Sequence, residues 1–191
     1  GYITRKDYPL DEIAVTFLNE MKKYEEFAKE GDNPDGKSEN CEVRDVEVEQ
    51  DCPLFLQWDK RWGYTDYSGG LMGYTGCGPT SLSMVAIYLT KNTSYTPLAV
   101  AKYATEAGYS CDGSGSYWSL MSDGCEHFGI HSKELPLNEN LMIEELQKGH
   151  PIICIMGPGE FTTVGHFIVV TDYVDGKFKI NDCFSPSRSE K

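Results

Sequence analysis

The sequence predicts an α+β domain, and three observations support this prediction. Apolar residues recur at helical spacing in several stretches between residues 79 and 148. From residue 152 onward the apolar runs are short and rich in β-branched and aromatic residues, as is typical of strands. Asp175-Gly176 separates the last two runs and is a strong signal for a hairpin turn. Helices that come first and antiparallel strands that come last indicate an α+β architecture.

The N-terminal part is predicted to be an amphipathic helix followed by a linker. Apolar residues recur every three or four positions over residues 10–27, and residues 31–40 are rich in Gly, Asp, Asn, Ser and Pro. Valines at positions 43, 46 and 48 indicate a short exposed strand. We interpret residues 1–45 as a helix and linker and residues 46–191 as the main domain, which we expect to be cut short at its C-terminus.

The main domain is predicted to contain four helices and three strands. Capping residues, glycines at the ends and apolar periodicity place the helices at 79–89, 97–107, 117–128 and 141–148. The strands are predicted at 152–156, 166–173 and 177–181.

Composition excludes some classes of protein and identifies no partner. The formal net charge of −13 argues against a nucleic-acid partner, because phosphate recognition needs clustered Lys and Arg. No apolar run approaches the roughly 20 residues that span a bilayer, so we expect no integral membrane segment in this chain. The seven cysteines show no Cys-x-x-Cys spacing, and we expect neither a metal nor a cofactor. The oligomeric state cannot be read from the sequence.

Cys77 is the candidate nucleophile. It lies in the segment Tyr-Thr-Gly-Cys-Gly-Pro-Thr-Ser at 74–81, directly before a helical apolar pattern. Pro79 suits a first helical position, so the cysteine is predicted at the helix start, where the helix dipole favours the thiolate. The flanking glycines allow a sharp turn and the close approach of a substrate. The alternative is a buried or disulfide-bonded cysteine in a glycine-rich turn.

His166 is the candidate general base. A thiolate nucleophile needs a base that can also protonate the leaving amine, and histidine suits both roles near neutral pH. His166 begins a hydrophobic strand whose rigid backbone can aim its ring. The other three histidines, at 127, 131 and 150, are more easily explained as surface residues. The alternative for His166 is a hydrogen-bonded histidine at a strand edge.

A third residue should orient the imidazole, and hairpin register separates the two candidates, Asn181 and Asp182. With a two-residue hairpin loop, Asn181 lies too far along the sheet from His166. With a three-residue loop, Asp182 lies diagonal to His166, about 7 to 8 Å away and within reach. We therefore favour Asp182. Asp172 projects to the same face but lies too far along the strand.

Gln57 is the candidate oxyanion donor. Acyl transfer needs hydrogen-bond donors at the developing negative charge, and the Cys77 backbone N–H together with one side-chain amide would supply them. Gln57 directly precedes the segment Trp-Asp-Lys-Arg-Trp at 58–62.

The order of these segments resembles the bacteriocin-processing (double-glycine) peptidase-like branch of the papain superfamily, over roughly residues 46–185. The resemblance is carried by Phe-Leu-Gln-Trp-Asp-Lys-Arg-Trp at 55–62, Gly-Cys-Gly-Pro-Thr-Ser at 76–81, Gly-His-Pro-Ile-Ile at 149–153, Gly-His-Phe-Ile-Val-Val at 165–170 and Asn-Asp at 181–182. One departure is Asp182-Cys183, where the family usually has Asp-Pro.

The resemblance implies a papain-like fold, in which an N-terminal helical part carries the nucleophile and packs on a C-terminal antiparallel sheet that carries the His and Asp. It implies a cysteine peptidase that hydrolyses a peptide or protein substrate, with the roles falling on Gln57, Cys77, His166 and Asp182. Many relatives are bacterial and exported or surface-bound, which implies an extracellular or cell-surface location here.

Two alternatives to peptide hydrolysis stay open. The same residues could support an amidase, a transferase or a cell-wall peptide hydrolase, because a fold does not fix a substrate. The chain could also be a non-catalytic binding module on this fold, with Trp58, Trp62, Tyr117 and Trp118 as contact residues, although such aromatic residues more often belong to the core.

Overall fold

The computed structural model describes residues 51–159, 161–163 and 165–189, together with Glu26, Lys29, Glu42 and Val43. The helix predicted over 10–27, the linker and the strand around the N-terminal valines lie outside the described residues, apart from the isolated positions Glu26 and Val43. The division of the chain at residues 45 and 46 therefore stays a prediction. No helix in the described ranges is long and apolar enough to cross a membrane.

The described residues confirm the α+β prediction, with most helices first and the main sheet last. The helices are α1 (Met72–Thr75), α2 (Cys77–Thr90), α3 (Pro97–Glu106), α4 (Ser119–Ser122), a 3₁₀ helix (Gly124–Phe128), α5 (Glu139–Gln147) and α6 (Pro186–Ser189). The strands are β1 (Asp66–Tyr67), β2 (Gly70–Leu71), β3 (Ser110–Cys111), β4 (Gly115–Ser116), β5 (Ile152–Met156), β6 (His166–Val174) and β7 (Lys177–Asn181).

Local sequence signals fix the ends of the longer helices. Thr96 caps α3 by accepting a hydrogen bond from the Ala99 N–H, and Pro97 occupies the first turn. Asn138 caps α5 in the same way. α2 ends at Thr90, and its C-cap residue Lys91 adopts the left-handed conformation with φ 57°. The predicted helices at 79–89, 97–107 and 141–148 are therefore confirmed to within two residues.

The helix predicted over 117–128 is wrong in part, because the structure divides it. α4 ends before Asp123, and a 3₁₀ helix follows from Gly124 to Phe128. A Cβ atom at Gly124 would lie 3.0 Å from Leu120 and 3.1 Å from the Tyr109 ring. The absence of a side chain at Gly124 lets the backbone pack closely against Leu120 and Tyr109. Glycine also destabilises a continuous α-helix, which explains why the helix is divided at this position.

The main sheet is antiparallel in the order β5-β6-β7, and α2 packs across β6. Residues 78–87 of α2 are all buried, and most of the apolar ones share a core with Phe55, Trp62 and Val169. A second, smaller core joins α5 to the sheet through Met142, Leu146, Val170 and Ile180. The layers of helix and sheet thus place the start of α2 beside the start of β6.

The hairpin between β6 and β7 has a shorter loop than the register that places Asp182 near His166 was expected to need. Its loop has two residues, Asp175 and Gly176, with φ values of 52° and 77° that suit a type I′ turn, and the expected three-residue loop is wrong. A β-bulge at Thr171 adds one residue to β6, so Val169 pairs with Asn181. The bulge therefore produces the shift that the longer loop was expected to produce.

Candidate active site

Cys77 is the first residue of α2, as the sequence predicts. The preceding Gly76 is the N-cap residue and provides no side-chain hydrogen bond to the helix. The first backbone N–H groups of α2 and the positive end of its dipole are therefore directed toward the cysteine. The thiol is half-buried and free. This position combines access for a substrate with stabilisation of negative charge.

Gly78 allows another element to approach the nucleophile closely. A Cβ atom at this position would overlap the Ser116 hydroxyl and would lie 2.7 Å from the Ser116 Cβ. Ser116 belongs to β4 and shares a 2.6 Å hydrogen bond with the buried hydroxyl of Tyr67. The glycine after Cys77 is thus required by packing as well as by the turn.

His166 is the first residue of β6 and pairs with Met156 of β5. Its ring is only 8% exposed, and its Nε2 atom lies 2.7 Å from the Oδ1 atom of Asp182. The structure therefore brings together the predicted base and the predicted orienting carboxylate.

Asp182 is fully buried and is held by several donors. Its Oδ1 atom accepts hydrogen bonds from the backbone N–H groups of Phe184, at 2.9 Å, and Ser185, at 3.3 Å. Its Oδ2 atom accepts a 2.8 Å hydrogen bond from Nη1 of Arg188. A buried carboxylate with this set of donors is fixed in orientation.

The charge state of His166 follows from these contacts. Burial opposes the charged ring and lowers its pKa, but hydrogen bonds to Asp182 and Cys77, together with their negative charges, outweigh burial and raise the pKa of His166 to about 9. Because Nε2 faces Asp182, Nδ1 is the ring nitrogen left for the thiol of Cys77. The arrangement favours a protonated imidazole beside Cys77 at neutral pH.

Gln57 is 2% exposed, and its amide is held on both sides. Its Nε2 atom donates to the Gly73 carbonyl at 3.0 Å, and its Oε1 atom accepts from the thiol of Cys183 at 3.5 Å. The Cys183 sulfur also lies 3.8 Å from the Cys77 carbonyl oxygen. Gln57 and Cys77 therefore contact the same buried sulfur atom.

The residues that the sequence analysis did not choose for the site make other contacts. Asn181 donates from Nδ2 to the carbonyls of Cys52, at 3.0 Å, and Pro53, at 2.9 Å, which anchors the incoming chain to β7. Asp172 accepts from the N–H of its neighbour Tyr173. All three remaining histidines are exposed: His127 stacks on Tyr103, and the other two face glutamates.

The aromatic residues considered for a binding module divide between core and surface. Trp62 is completely buried and packs edge-on against Phe55. Trp118 is 69% exposed and Tyr117 is 51% exposed. The core interpretation is right for Trp62 and wrong for these two residues.

A metal could in principle be held by His166, Asp182 and Cys183, whose ligand atoms all lie within 4.8 Å of one another. The carboxylate already accepts four hydrogen bonds, one of them from His166, and burial raises the pKa of the Cys183 thiol well above its ordinary value. A metal ion would have to displace these donors and deprotonate the thiol. These residues do not fit a metal site well.

Sequence reasoning missed two residues at this site, Arg188 and Cys183. Arg188 returns to Asp182 because the short helix α6 follows it closely, and the Ser185-Pro186 signal for a helix start could have indicated this. Cys183 was interpreted as a departure from a family pattern. Its position directly after Asp182 was the available signal that it lies at the site.

Comparison with protein-family models gives a match over most of the chain. The model of the Peptidase_C39 like family matches residues 49–191. The match confirms the resemblance to papain-like cysteine peptidases and, with the observed helices and antiparallel sheet, the α+β papain-like fold. Searches of curated proteins and of solved structures found no match to this chain.

Proposed function

Because the chain belongs to the Peptidase_C39 like family, we propose that it hydrolyses peptide bonds with Cys77 as its nucleophile. The observation that carries the proposal is the 2.7 Å hydrogen bond between His166 and Asp182, with Cys77 close enough to His166 to raise the pKa of its ring. A thiol at a helix start, a histidine within hydrogen-bond reach and a carboxylate behind it are the parts that acyl transfer requires.

The proposed reaction begins when the Cys77 thiolate attacks the carbonyl carbon of the scissile bond. The Cys77 N–H and the Gln57 amide stabilise the oxyanion of the tetrahedral intermediate. His166, protonated at neutral pH, gives its proton to the leaving amine. It then takes a proton from water, which attacks the thioester and releases the second product.

Asp182 keeps the histidine in the required tautomer and orientation. Its hydrogen bond to Nε2 turns Nδ1 toward the nucleophile, and its charge stabilises the imidazolium. Arg188 in turn holds the second carboxylate oxygen, so that Asp182 cannot rotate away from the ring.

Cleavage profiling of the purified chain tests this proposal. A peptide library and a set of cell-wall fragments are incubated with the wild type, Cys77→Ala and Cys154→Ala, and new termini are identified by mass spectrometry. Cys154 is a suitable control because it is another half-buried free cysteine, and it pairs with Ile168 in the sheet instead of lying at the start of α2. We expect the wild type and Cys154→Ala to cleave peptides and Cys77→Ala to cleave none.

Two outcomes would contradict the proposal. Cleavage by Cys77→Ala would exclude Cys77 as the nucleophile. Turnover of cell-wall fragments or of side-chain amides, without cleavage of any peptide, would favour the hydrolase or amidase alternatives on the same fold.

The location of the protein is a separate proposal. We propose an extracellular or cell-surface site of action in a bacterium, supported by the resemblance to exported relatives. Fractionation of the source cells with an antibody against the chain tests this, and recovery in the cytoplasmic fraction alone would contradict it.

A further inference from the structure

We infer that Cys183 is a positioning residue that orients the Gln57 amide for oxyanion stabilisation. The inference rests on the proposed function, since it concerns the same site. It gives a role to a buried cysteine that takes no part in the acyl transfer itself.

Two contacts join Cys183 to Gln57. The Gln57 backbone N–H donates to the Cys183 carbonyl at 2.8 Å, which fixes the two main chains side by side. The Cys183 thiol donates to Gln57 Oε1 at 3.5 Å. Both side chains are buried. Among the described residues, the Cys183 thiol is the group that donates a hydrogen bond to the Gln57 amide oxygen.

The thiol has one proton and several possible acceptors. The Phe167 carbonyl lies 3.6 Å from the sulfur and the Cys77 carbonyl 3.8 Å away, so Gln57 Oε1 is the nearest acceptor. The Phe167 carbonyl already accepts a hydrogen bond from the Ser81 hydroxyl, so it competes less strongly for the thiol proton. Complete burial keeps the thiol protonated, and hence a donor, at neutral pH.

These contacts select one orientation of the amide. With Oε1 toward the thiol, Nε2 faces the Gly73 carbonyl and uses one of its two N–H groups there. A reversed amide would set its oxygen against the Gly73 carbonyl oxygen. In the observed orientation the second N–H is left to donate to an oxyanion at Cys77, whose backbone carbonyl lies beside the same sulfur.

A double-mutant cycle tests this inference. We would measure kcat and KM for the wild type, Gln57→Ala, Cys183→Ala and the double variant on one peptide found by cleavage profiling. Loss of an oxyanion donor lowers kcat by about 100- to 1,000-fold, which is the expected effect of Gln57→Ala. Cys183→Ala leaves the amide in place but loosely held, so we expect kcat to fall by about tenfold with KM within twofold.

The decisive comparison is between the effect of Cys183→Ala in the wild type and its effect in the Gln57→Ala variant. In the Gln57→Ala background, Cys183→Ala should change kcat by less than about twofold, because no amide remains to be oriented. Cys183→Ser keeps a donor and should recover most of the wild-type kcat. If Cys183→Ala lowers kcat equally in both backgrounds, or if Cys183→Ser is as impaired as Cys183→Ala, the residue acts only through packing and the inference is wrong.

The failure of the proposed function has a different signature. A wild type without peptidase activity would refute the parent proposal and this inference with it. A Gln57→Ala variant with unchanged kcat would refute the oxyanion role of Gln57 and this inference, and would leave Cys77 as the proposed nucleophile. Near-ultraviolet circular dichroism of each variant checks that the fold is retained, and Cys183→Ser, which is close to cysteine in size, keeps the comparison possible if the alanine variant does not fold.

Discussion

Arg188 should stabilise this protein far more than a surface arginine does, because its partner Asp182 is buried. The side chain of Arg188 is 21% exposed, whereas that of Asp182 is completely buried. Removing one partner of a buried ion pair costs about 3 to 5 kcal/mol. Water can reach Oδ2 through the space that Arg188 leaves, so we expect Arg188→Ala to lower the free energy of unfolding by about 2 to 3 kcal/mol.

Arg61 offers a matched control. Its side chain is 23% exposed and contacts Asp59 at 2.9 Å, but this aspartate is 28% exposed. Both ion pairs contain a half-buried arginine, and they differ in the burial of the carboxylate. Arg61→Ala should cost about 1 kcal/mol or less from its ion pair.

Urea denaturation at pH 7 measures both variants, and peptide hydrolysis reports on the site. Arg188 also donates to the Phe161 carbonyl at 2.9 Å, so it joins the segment before His166 to Asp182. Misplacement of the imidazole should lower kcat/KM of Arg188→Ala by about ten- to a hundredfold. Equal losses of stability in the two variants, or full activity of Arg188→Ala, would refute the reasoning.

Two further predictions concern the pH profile and the packing beside the nucleophile. Activity requires a protonated His166, so kcat/KM of the wild type should fall as the pH rises through about 9. Asp182→Asn removes the negative charge that raises the pKa of His166 and leaves the burial that lowers it. The basic limb of the pH profile should therefore move to lower pH by more than about one unit. An unchanged basic limb would contradict the role assigned to Asp182. Gly78→Ala should clash with Ser116 and lower both the thermal midpoint of unfolding and kcat. The double variant Gly78→Ala with Ser116→Gly should recover part of both losses. If it recovers neither, the contact with Ser116 does not explain the losses.

The sequence predicted the positions of Cys77 and His166 because both depend on local signals. A proline and two glycines mark a helix start, and a β-branched run marks a strand start. These signals act over a few residues, and tertiary contacts did not override them. The same is true of the capped helices α3 and α5.

The position of Asp182 was predicted for a reason that is wrong in one detail. The hairpin loop follows its Asp-Gly signal and has two residues, while the bulge at Thr171 supplies the register shift. Thr171 carries no turn signal, and a bulge depends on how both strands pack. Only the requirement that a partner reach His166 indicated the correct register.

Arg188 and Cys183 were missed because the local signals that mark their positions do not identify their partners. Arg188 acts through a helix of four residues that carries too little periodicity to be recognised. Cys183 contacts Gln57, which is 126 positions earlier in the chain. No local pattern indicates the contact between Cys183 and Gln57.

The central claim is that Cys77 forms a covalent intermediate with the carbonyl half of a peptide. Quenching the reaction in acid during turnover and mapping adducts by mass spectrometry measures this directly. We expect an acyl group on Cys77, equal in mass to the N-terminal product less water and absent from Cys77→Ala. Cleavage that continues without any adduct on Cys77, or with an adduct on another residue, would contradict it.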